Sequence, residues 1–107
     1  MNPKFYKLLT KLNDFEWDLG NIDHIKKHNF KIKECEDSFL NKPLFISEDK
    51  SHSQAETRYK LMGRSSESRN LILVFTIRRD RIRVISVRDQ NKNERKLYKN
   101  LGGEKNE

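Results

Sequence analysis

Arginines, histidines and tyrosines are the side chains of this sequence that are best suited to chemistry. Arg83 and Arg88 lie among apolar residues towards the C-terminal end, Tyr98 follows them, and His28 comes directly after Lys27. Such a set suits cleavage of RNA without a metal. A base takes the proton of a ribose 2′-hydroxyl, arginines neutralise the charge at phosphorus, and an acid protonates the leaving 5′-oxygen. Plain phosphate binding uses the same residues without that geometry, so composition leaves both functions open.

Other kinds of reactive site find little support. The single cysteine, Cys35, excludes an intramolecular disulfide and is typical of a reducing compartment. The three histidines do not have the spacing of metal ligands, and the chain has neither a glycine-rich phosphate loop nor a G-x-S-x-G motif. We therefore expect no metal, no cofactor and no cysteine nucleophile.

The charge of the chain indicates a polyanionic partner. Its 107 residues suffice for one domain, 36% of them are charged, and the net charge is +7. Residues 57–99 alone hold 13 Lys and Arg, mostly arginine, against 4 Asp and Glu. The planar fork of arginine favours phosphate recognition, although a merely solubilising surface can have the same count. No apolar run approaches the roughly 20 residues of a membrane span, and we find no signal peptide, so we expect a cytoplasmic protein.

Apolar alternation predicts the strands that must position these residues. Leu71 to Ile77 is apolar on both alternating faces, which predicts a central strand covered on two sides. Arg81 to Val87 predicts its neighbour, joined to it by a turn at Asp80 that lacks the Asn-Gly or Asp-Gly signal of a defined turn type. Glu56 to Gly63 alternates as a strand with one basic face, and Leu44 to Ile46 is predicted as a short strand.

Strand parity decides whether the two arginines can act together. In a regular strand Arg83 lies on one face and Arg88 on the other. The two share a site only if a β-bulge or the end of the strand redirects Arg88. Arg88 directly follows the predicted strand, so we expect such a redirection there.

Two helices are predicted before the sheet and one after it. Asp18 caps the first, the second covers about Lys33 to Leu40, and the third begins with a capping box of Asn91 and Glu94 and ends at Gly102. The residues expected to face the core are Leu19, Ile22 and Ile25 in the first helix, Cys35, Phe39 and Leu40 in the second, and Leu97, Tyr98 and Leu101 in the third. Those of the second helix that are expected to face solvent are Glu34, Glu36 and Asp37.

Together these elements predict a small α+β single domain, in which two N-terminal helices pack on an antiparallel sheet with a C-terminal helix. We expect residues 1–14 to be a basic N-terminal extension, residues 15–101 the folded domain, and residues 102–107 a C-terminal tail. Residues 1–13 have a helix-like apolar pattern and are either a short docking helix or a tail that orders with a partner. Phe15 to Asp18 is predicted as a short edge strand.

Three motifs follow one another along the chain. The first is Phe15-Glu16-Trp17-Asp18, with Lys27-His28 ten residues on and Phe39 in the following helix. The second is an H-x-x-x-E-x-R-x-x-x-x-G spacing made by His52, Glu56, Arg58 and Gly63. The third is Arg83-Val84-Ile85-Ser86-Val87-Arg88 followed by Glu94-Arg95 and Tyr98. In this order and with similar gaps, the motifs resemble the BrnT family of bacterial type II toxins over about residues 15–98, and the resemblance departs at Asn29, where many relatives have glycine.

The resemblance implies a RelE-like ribonuclease fold and a toxin that cleaves RNA and blocks translation, and the lack of a metal-ligand spacing favours cleavage without a metal. It also implies a BrnA-type antitoxin that neutralises the toxin, binds operator DNA and joins the toxin in a hetero-oligomer. The residues that we place at the site on this basis are His28, Arg83, Arg88 and Tyr98 as catalytic groups and Lys27, Arg58, Arg64, Arg69 and Arg95 as RNA contacts. Tyr98 can equally be a core residue, and His52 is favoured as a plain loop residue, although Glu56 lies four positions away.

Two other functions remain open. The chain can be a nucleic-acid-binding module without turnover, for example a degenerate toxin that serves only in operator complexes. Its basic face can also be a docking surface for an acidic protein. Cutting of RNA, salt-dependent binding without cutting, and indifference to RNA distinguish the three.

Overall fold

Four strands form one antiparallel sheet in the computed structural model, which describes residues 14–103. The strands are β1 (Phe45–Glu48), β2 (Arg58–Arg64), β3 (Asn70–Arg78) and β4 (Arg81–Asp89), and they neighbour one another in chain order. The helices are α1 (Leu19–Lys27), α2 (Ile32–Asp37) and α3 (Lys92–Tyr98), with a 3-10 turn at Lys50–His52 and a wide turn at Lys99–Gly103. This arrangement confirms an α+β domain with an antiparallel sheet. The predictions for residues 1–13 and 104–107 lie outside the described residues, and the domain boundaries stay predictions.

The sheet has one apolar face and one basic face. Register places Leu61, Leu73, Phe75 and Val87 on the apolar face, where all four are buried in one cluster with Ile25 of α1. The basic face is defined by Arg58 and Lys60 on β2, Val74 and Thr76 on β3, and Arg83, Ser86 and Arg88 on β4. The strand with one basic face predicted from residues 56–63 is therefore confirmed.

A β-bulge in β4 determines on which face of the sheet its arginines lie. Val74 pairs with Ser86 but Phe75 pairs with Val84, so Ile85 is an extra residue on β4. Because of this insertion, Arg83 lies opposite Thr76 and Arg88 opposite Ile72, two residues of β3 with the same parity. Both arginines thus belong to the basic face, but the cause is a bulge at Ile85 and not the expected end of the strand, since Arg88 lies within β4.

The turn between β3 and β4 is tighter than its sequence indicates. Arg79 and Asp80 both have positive φ, 54° and 63°, and Arg78 pairs directly with Arg81. Positive φ at both central residues identifies a type I′ turn, which suits the twist of a hairpin. Asp80 tolerates the left-handed region better than most residues, whereas Arg79 gives no such signal.

Helix α1 is fixed to β4 by its first turn. Asp18 accepts hydrogen bonds from the backbone of Gly20 and Asn21, which confirms the predicted cap. Asn21 is buried, and its Nδ2 donates to the carbonyls of Glu16 and Val84 at 2.9 and 3.0 Å. The prediction that Leu19 faces the core is wrong, since it is 79% exposed. The polar Asn21 occupies the inward position because it pairs backbone groups that no apolar side chain could satisfy.

Helix α2 is shorter than predicted and orients two residues differently. Cys35 and Phe39 are buried as expected, but Leu40 is 58% exposed, because the helix ends at Asp37. Glu34 was expected outside and is only 2% exposed. Its carboxylate accepts a hydrogen bond from the backbone of Lys31 at 3.1 Å, which closes the capping box and draws the side chain inward.

Helix α3 packs beside the sheet at the end where β4 finishes. Asn91 and Glu94 form the predicted capping box, and Gly102 takes φ of 111° where the following turn ends. Leu97 and Leu101, expected to be buried with Tyr98, are about half exposed. Only Tyr98 of this stripe is buried, in edge-to-face contact with Phe45 at 5.9 Å.

The edge strand predicted from Phe15 to Asp18 is reduced to a single pairing. Phe15 forms an isolated parallel bridge with Ile82, and its side chain joins the core. In the part of the chain that the structure describes, no helix is long and apolar enough to cross a membrane.

Candidate functional site

The basic face is partly open at its centre. Arg58 and Arg83 flank Thr76 in one cross-strand row, and Lys60 and Ser86 flank Val74 in the next. Thr76 is buried, while Lys60 is exposed and Val74 and Ser86 are half-buried. Four cations, Arg58, Lys60, Arg83 and Arg88, therefore surround a small accessible floor.

Arg83 is held by the start of α1. Its guanidinium donates two hydrogen bonds to the carboxylate of Asp18, at 2.8 and 3.1 Å, and Glu16 lies 4.0 Å away. The hydrogen bonds with Asp18 raise the pKa of Arg83 and, from the other side, lower that of Asp18. Arg83 thus joins the sheet edge to the helix cap, and a phosphate must compete with a carboxylate to bind it.

Arg88 is held in the same way by α3. It donates to both oxygens of Glu94, at 2.7 and 2.9 Å. The hydrogen bonds from Arg88 outweigh burial and lower the pKa of Glu94 to about 2. The side chain of Arg88 is 48% exposed, so part of it stays accessible to a ligand.

The two arginines share a face but do not form one clamp. Their partners on β3, Thr76 and Ile72, are four residues apart, which corresponds to about 13 Å along the strand. Each guanidinium is also tied to a carboxylate on a different helix end. The structure therefore suits contacts to separate phosphates of one strand rather than to a single phosphate.

Tyr98 is buried beside Phe45, a residue on the same side of the sheet as Arg88. It is fully buried, and its hydroxyl donates a 2.6 Å hydrogen bond to the carbonyl of Pro43. Arg64 lies over its ring at 6.0 Å. This burial favours the alternative that Tyr98 is a core residue, and its catalytic role stays a prediction.

Lys27 is the last residue of α1, and His28 directly follows it. Both are exposed, and the ring of His28 is 4.8 Å from that of His24. Burial, together with the nearby His28 and Lys27, lowers the pKa of His24. Asn29 takes the left-handed conformation, with φ of 62°, as its place at the helix end predicts. The structure does not bring His28 to the basic face.

The remaining predicted RNA contacts differ in how many interactions they already make within the domain. Arg95 is exposed and donates to the carbonyl of Gln90 at 2.9 Å. Arg69 stacks on Phe30 with its guanidinium carbon 3.7 Å from the ring centroid, and it pairs with both oxygens of Asp89. It also donates to the carbonyl of Asn29 at 2.7 Å. Arg69 thus holds the end of α1 against the end of β4.

A family model for the ribonuclease toxin BrnT of type II toxin–antitoxin systems matches residues 17–94, most of the described domain. The chain belongs to the BrnT family. It is therefore a member of a ribonuclease toxin family, whose members act on RNA and are paired with an antitoxin protein. Among curated proteins, no sequence matches the chain.

The BrnT match includes the four cations of the basic face and Lys27 and His28, whereas Arg95 and Tyr98 follow its last residue. It also includes a cluster that sequence reasoning set aside. His52 lies 3.0 Å from Asp49, and His52, Glu56 and Arg58 line one cavity. The signal was present as a histidine and an acid four residues apart, with Arg58 two further on, in the second motif. Among residues 14–103, no group of three or more His, Cys, Asp or Glu side chains is arranged to hold a metal ion.

Proposed function

We propose that the chain is a metal-independent endoribonuclease with a RelE-like fold, the toxin of a type II toxin–antitoxin pair. In this proposal it cleaves RNA in the cytoplasm and thereby inhibits translation. The reaction is attack of a ribose 2′-oxygen on the adjacent phosphorus, which leaves a 2′,3′-cyclic phosphate and a 5′-hydroxyl.

The observation that carries the proposal is the β-bulge at Ile85. Without the extra residue, Arg83 and Arg88 would lie on opposite faces of β4. With it, both lie on the face that already holds Arg58 and Lys60. A bulge that gathers cations on one face favours recognition of a polyanion over simple solubility.

The cations divide the work in this proposal. Lys60 is exposed, and Arg58 has only a long contact of 3.5 Å with Glu56, so these two bind phosphate without first leaving a strong partner. Arg83 and Arg88 stay paired with Asp18 and Glu94, and they attract the RNA through the parts of their side chains that face solvent. Lys27, His28, Arg64 and Arg95 lie further out and guide the flanking RNA. Arg69 and Tyr98 are assigned structural roles, because their contacts tie elements of the domain together.

The partner in this proposal is a BrnA-type antitoxin that covers the basic face in a toxin–antitoxin hetero-oligomer. Covering that face blocks access of RNA, and the antitoxin carries the toxin to operator DNA. Because the same cations then contact the antitoxin, substitutions of these cations weaken the binding of both RNA and antitoxin. A pull-down in which Lys60→Ala and Arg88→Ala leave antitoxin binding intact would count against a shared surface.

Cutting and binding of end-labelled RNA test the ribonuclease proposal. The test variant is Lys60→Ala/Arg88→Ala, and Lys33→Ala is the control, since Lys33 is an exposed lysine of α2 and not of the sheet. We expect the wild type to cut RNA in EDTA. The double variant should bind RNA more weakly. The slope of log affinity against log salt concentration should become shallower by about two, one for each cation removed. Binding without cutting would favour the non-catalytic module, and equal loss in the Lys33 control would contradict the placement of the RNA.

A further inference from the structure

The loop between β1 and β2 is fixed against the first residue of β2. The backbone N–H of Asp49 donates to the carbonyl of Arg58 at 2.7 Å. Ser53 donates from its hydroxyl to the carbonyl of Asp49 at 2.7 Å and accepts from the N–H of Arg58 at 2.9 Å. A loop tied down at both ends in this way holds its side chains in defined positions, as a catalytic site needs.

His52 and Asp49 form a hydrogen-bonded pair on this loop. Nδ1 of His52 lies 3.0 Å from Oδ2 of Asp49 and 3.1 Å from Oγ of Ser51, whose hydroxyl donates to the other oxygen of Asp49 at 3.0 Å. Burial opposes ionisation of Asp49, but the hydrogen bonds from Ser51 and His52 outweigh it and lower its pKa. A carboxylate at Nδ1 favours the tautomer that carries its proton there, which leaves Nε2 as a proton acceptor.

The imidazole of His52 shares a cavity with Arg58. The cavity has a volume of about 290 Å³ and is also lined by Ser51, Gln54, Ala55 and Glu56. Nε of Arg58 is buried and has no hydrogen-bond partner among residues 14–103. A donor in this state costs free energy in the isolated protein and gains a partner when a phosphate oxygen arrives. Since Arg58 also belongs to the basic face, the cavity adjoins the surface proposed to bind RNA.

We propose that His52 is the general base of RNA cleavage, that Asp49 is its positioning residue, and that Arg58 binds the scissile phosphate. This rests on the ribonuclease function proposed above. Nε2 of His52 takes the proton of the 2′-hydroxyl, the 2′-oxygen forms a bond to phosphorus, and the bond from phosphorus to the 5′-oxygen breaks. The departing 5′-oxygen takes a proton from water, and the imidazolium returns its proton to solvent. Atoms and charge balance without a metal or any oxidant.

This assignment takes the role that the sequence led us to expect of His28. His28 lies at the end of α1 beside His24, whereas His52 has a carboxylate at one nitrogen and an arginine of the basic face in the same cavity. A base must reach the proton it removes, so a histidine that lines a cavity with a phosphate-binding arginine is the better candidate.

Cleavage kinetics of three variants, measured on the full chain with a labelled oligoribonucleotide, test the assignment. His52→Ala removes the base and leaves room for imidazole. His52→Asn keeps a donor near Asp49 but has no Nε2, which guards against loss of folding. Asp49→Asn keeps the size of the side chain but no longer favours the required tautomer.

We expect His52→Ala and His52→Asn to lower kcat by about 10²- to 10⁴-fold with RNA affinity retained. Added imidazole should restore cutting to His52→Ala in proportion to its concentration, an effect that a structural role would not produce. Asp49→Asn should lower kcat by about 10-fold or more with KM unchanged. Wild-type rates in folded His52→Asn, or imidazole rescue of His28→Ala instead, would overturn the assignment while leaving the ribonuclease intact. A wild type that cuts no RNA would overturn both.

Discussion

The ion pair between Arg88 and Glu94 should make a measurable, pH-dependent contribution to stability. Glu94→Gln removes the charge and keeps an oxygen that can accept from the backbone of Asn91, as the carboxylate does at 2.8 Å. The pKa of Glu94 falls from 4.5 to about 2. At about 1.4 kcal/mol for each pH unit, this corresponds to a ceiling of about 3 kcal/mol. Because half of the Arg88 side chain is exposed, solvent screening reduces the expected loss to about 1–2 kcal/mol.

The sign of the pH dependence follows from the lowered pKa of Glu94. Unfolding frees Glu94 to bind a proton near its ordinary value of 4.5, whereas the folded state resists protonation until about 2. The stabilisation is therefore complete above about pH 5 and is lost as the pH falls towards 2. The difference between wild type and Glu94→Gln should follow the same course.

Urea unfolding followed by the fluorescence of Trp17, the single tryptophan, measures this difference between about pH 2 and pH 7. Glu67→Gln is the matched control, since Glu67 pairs with Lys31 at 2.9 Å but both side chains are largely exposed. The control should change stability less than Glu94→Gln at neutral pH. A loss that stays constant down to pH 2, or no loss at pH 7, would refute the assignment to this ion pair.

Three further variants or reagents test the core. Tyr98→Phe should lower the free energy of unfolding by about 1–2 kcal/mol, because the carbonyl of Pro43 loses the hydroxyl that donates to it, while RNA cutting by the folded protein persists; selective loss of cutting would show that Tyr98 acts at the site. Asn21→Ala should cost roughly 2–4 kcal/mol in urea unfolding, since it leaves the carbonyl of Val84 and other backbone groups unpaired, and a near-neutral result would contradict this anchor. Cys35, whose pKa burial raises to about 12, should react with iodoacetamide only after unfolding, and rapid labelling of the native protein would show that it is accessible.

Apolar periodicity was enough to predict an element where one face of that element is buried and the other is not. The alternation of β2 and the apolar run of β3 predicted both strands to within about two residues, and the capping box at Asn91 and Glu94 located the start of α3. In these elements local chemistry and tertiary packing agree, which is the condition for a correct prediction.

The errors in the first two helices have two physical origins. Glu34 and Asn21 are polar residues that turn inward because their side chains satisfy backbone groups, and apolar patterning gives no weight to that. Leu19 and Leu40 lie at helix ends, where the 3.6-residue period no longer decides which side chain is covered.

The candidate site was only partly predictable for a different reason. Sequence parity showed that Arg83 and Arg88 needed a bulge to share a face, but nothing in the residues located it at Ile85. Contacts between residues distant in sequence also determine which cations form ion pairs. The pairing of Arg83 with Asp18 and of Arg88 with Glu94 is therefore known only from the structure. The pairing of His52 with Asp49 depends on a 3-10 turn, whereas the sequence indicated only that His52 is a loop residue.

The ends of the RNA fragments test the central claim most directly. Oligoribonucleotide incubated with the purified chain in excess EDTA is analysed by mass spectrometry for the groups at each new end. The proposed reaction predicts a 2′,3′-cyclic phosphate on one fragment and a 5′-hydroxyl on the other, with EDTA having no effect on the rate. A 5′-phosphate with a 3′-hydroxyl, or cutting that EDTA abolishes, would mean that a metal-activated water attacks phosphorus and would contradict the account.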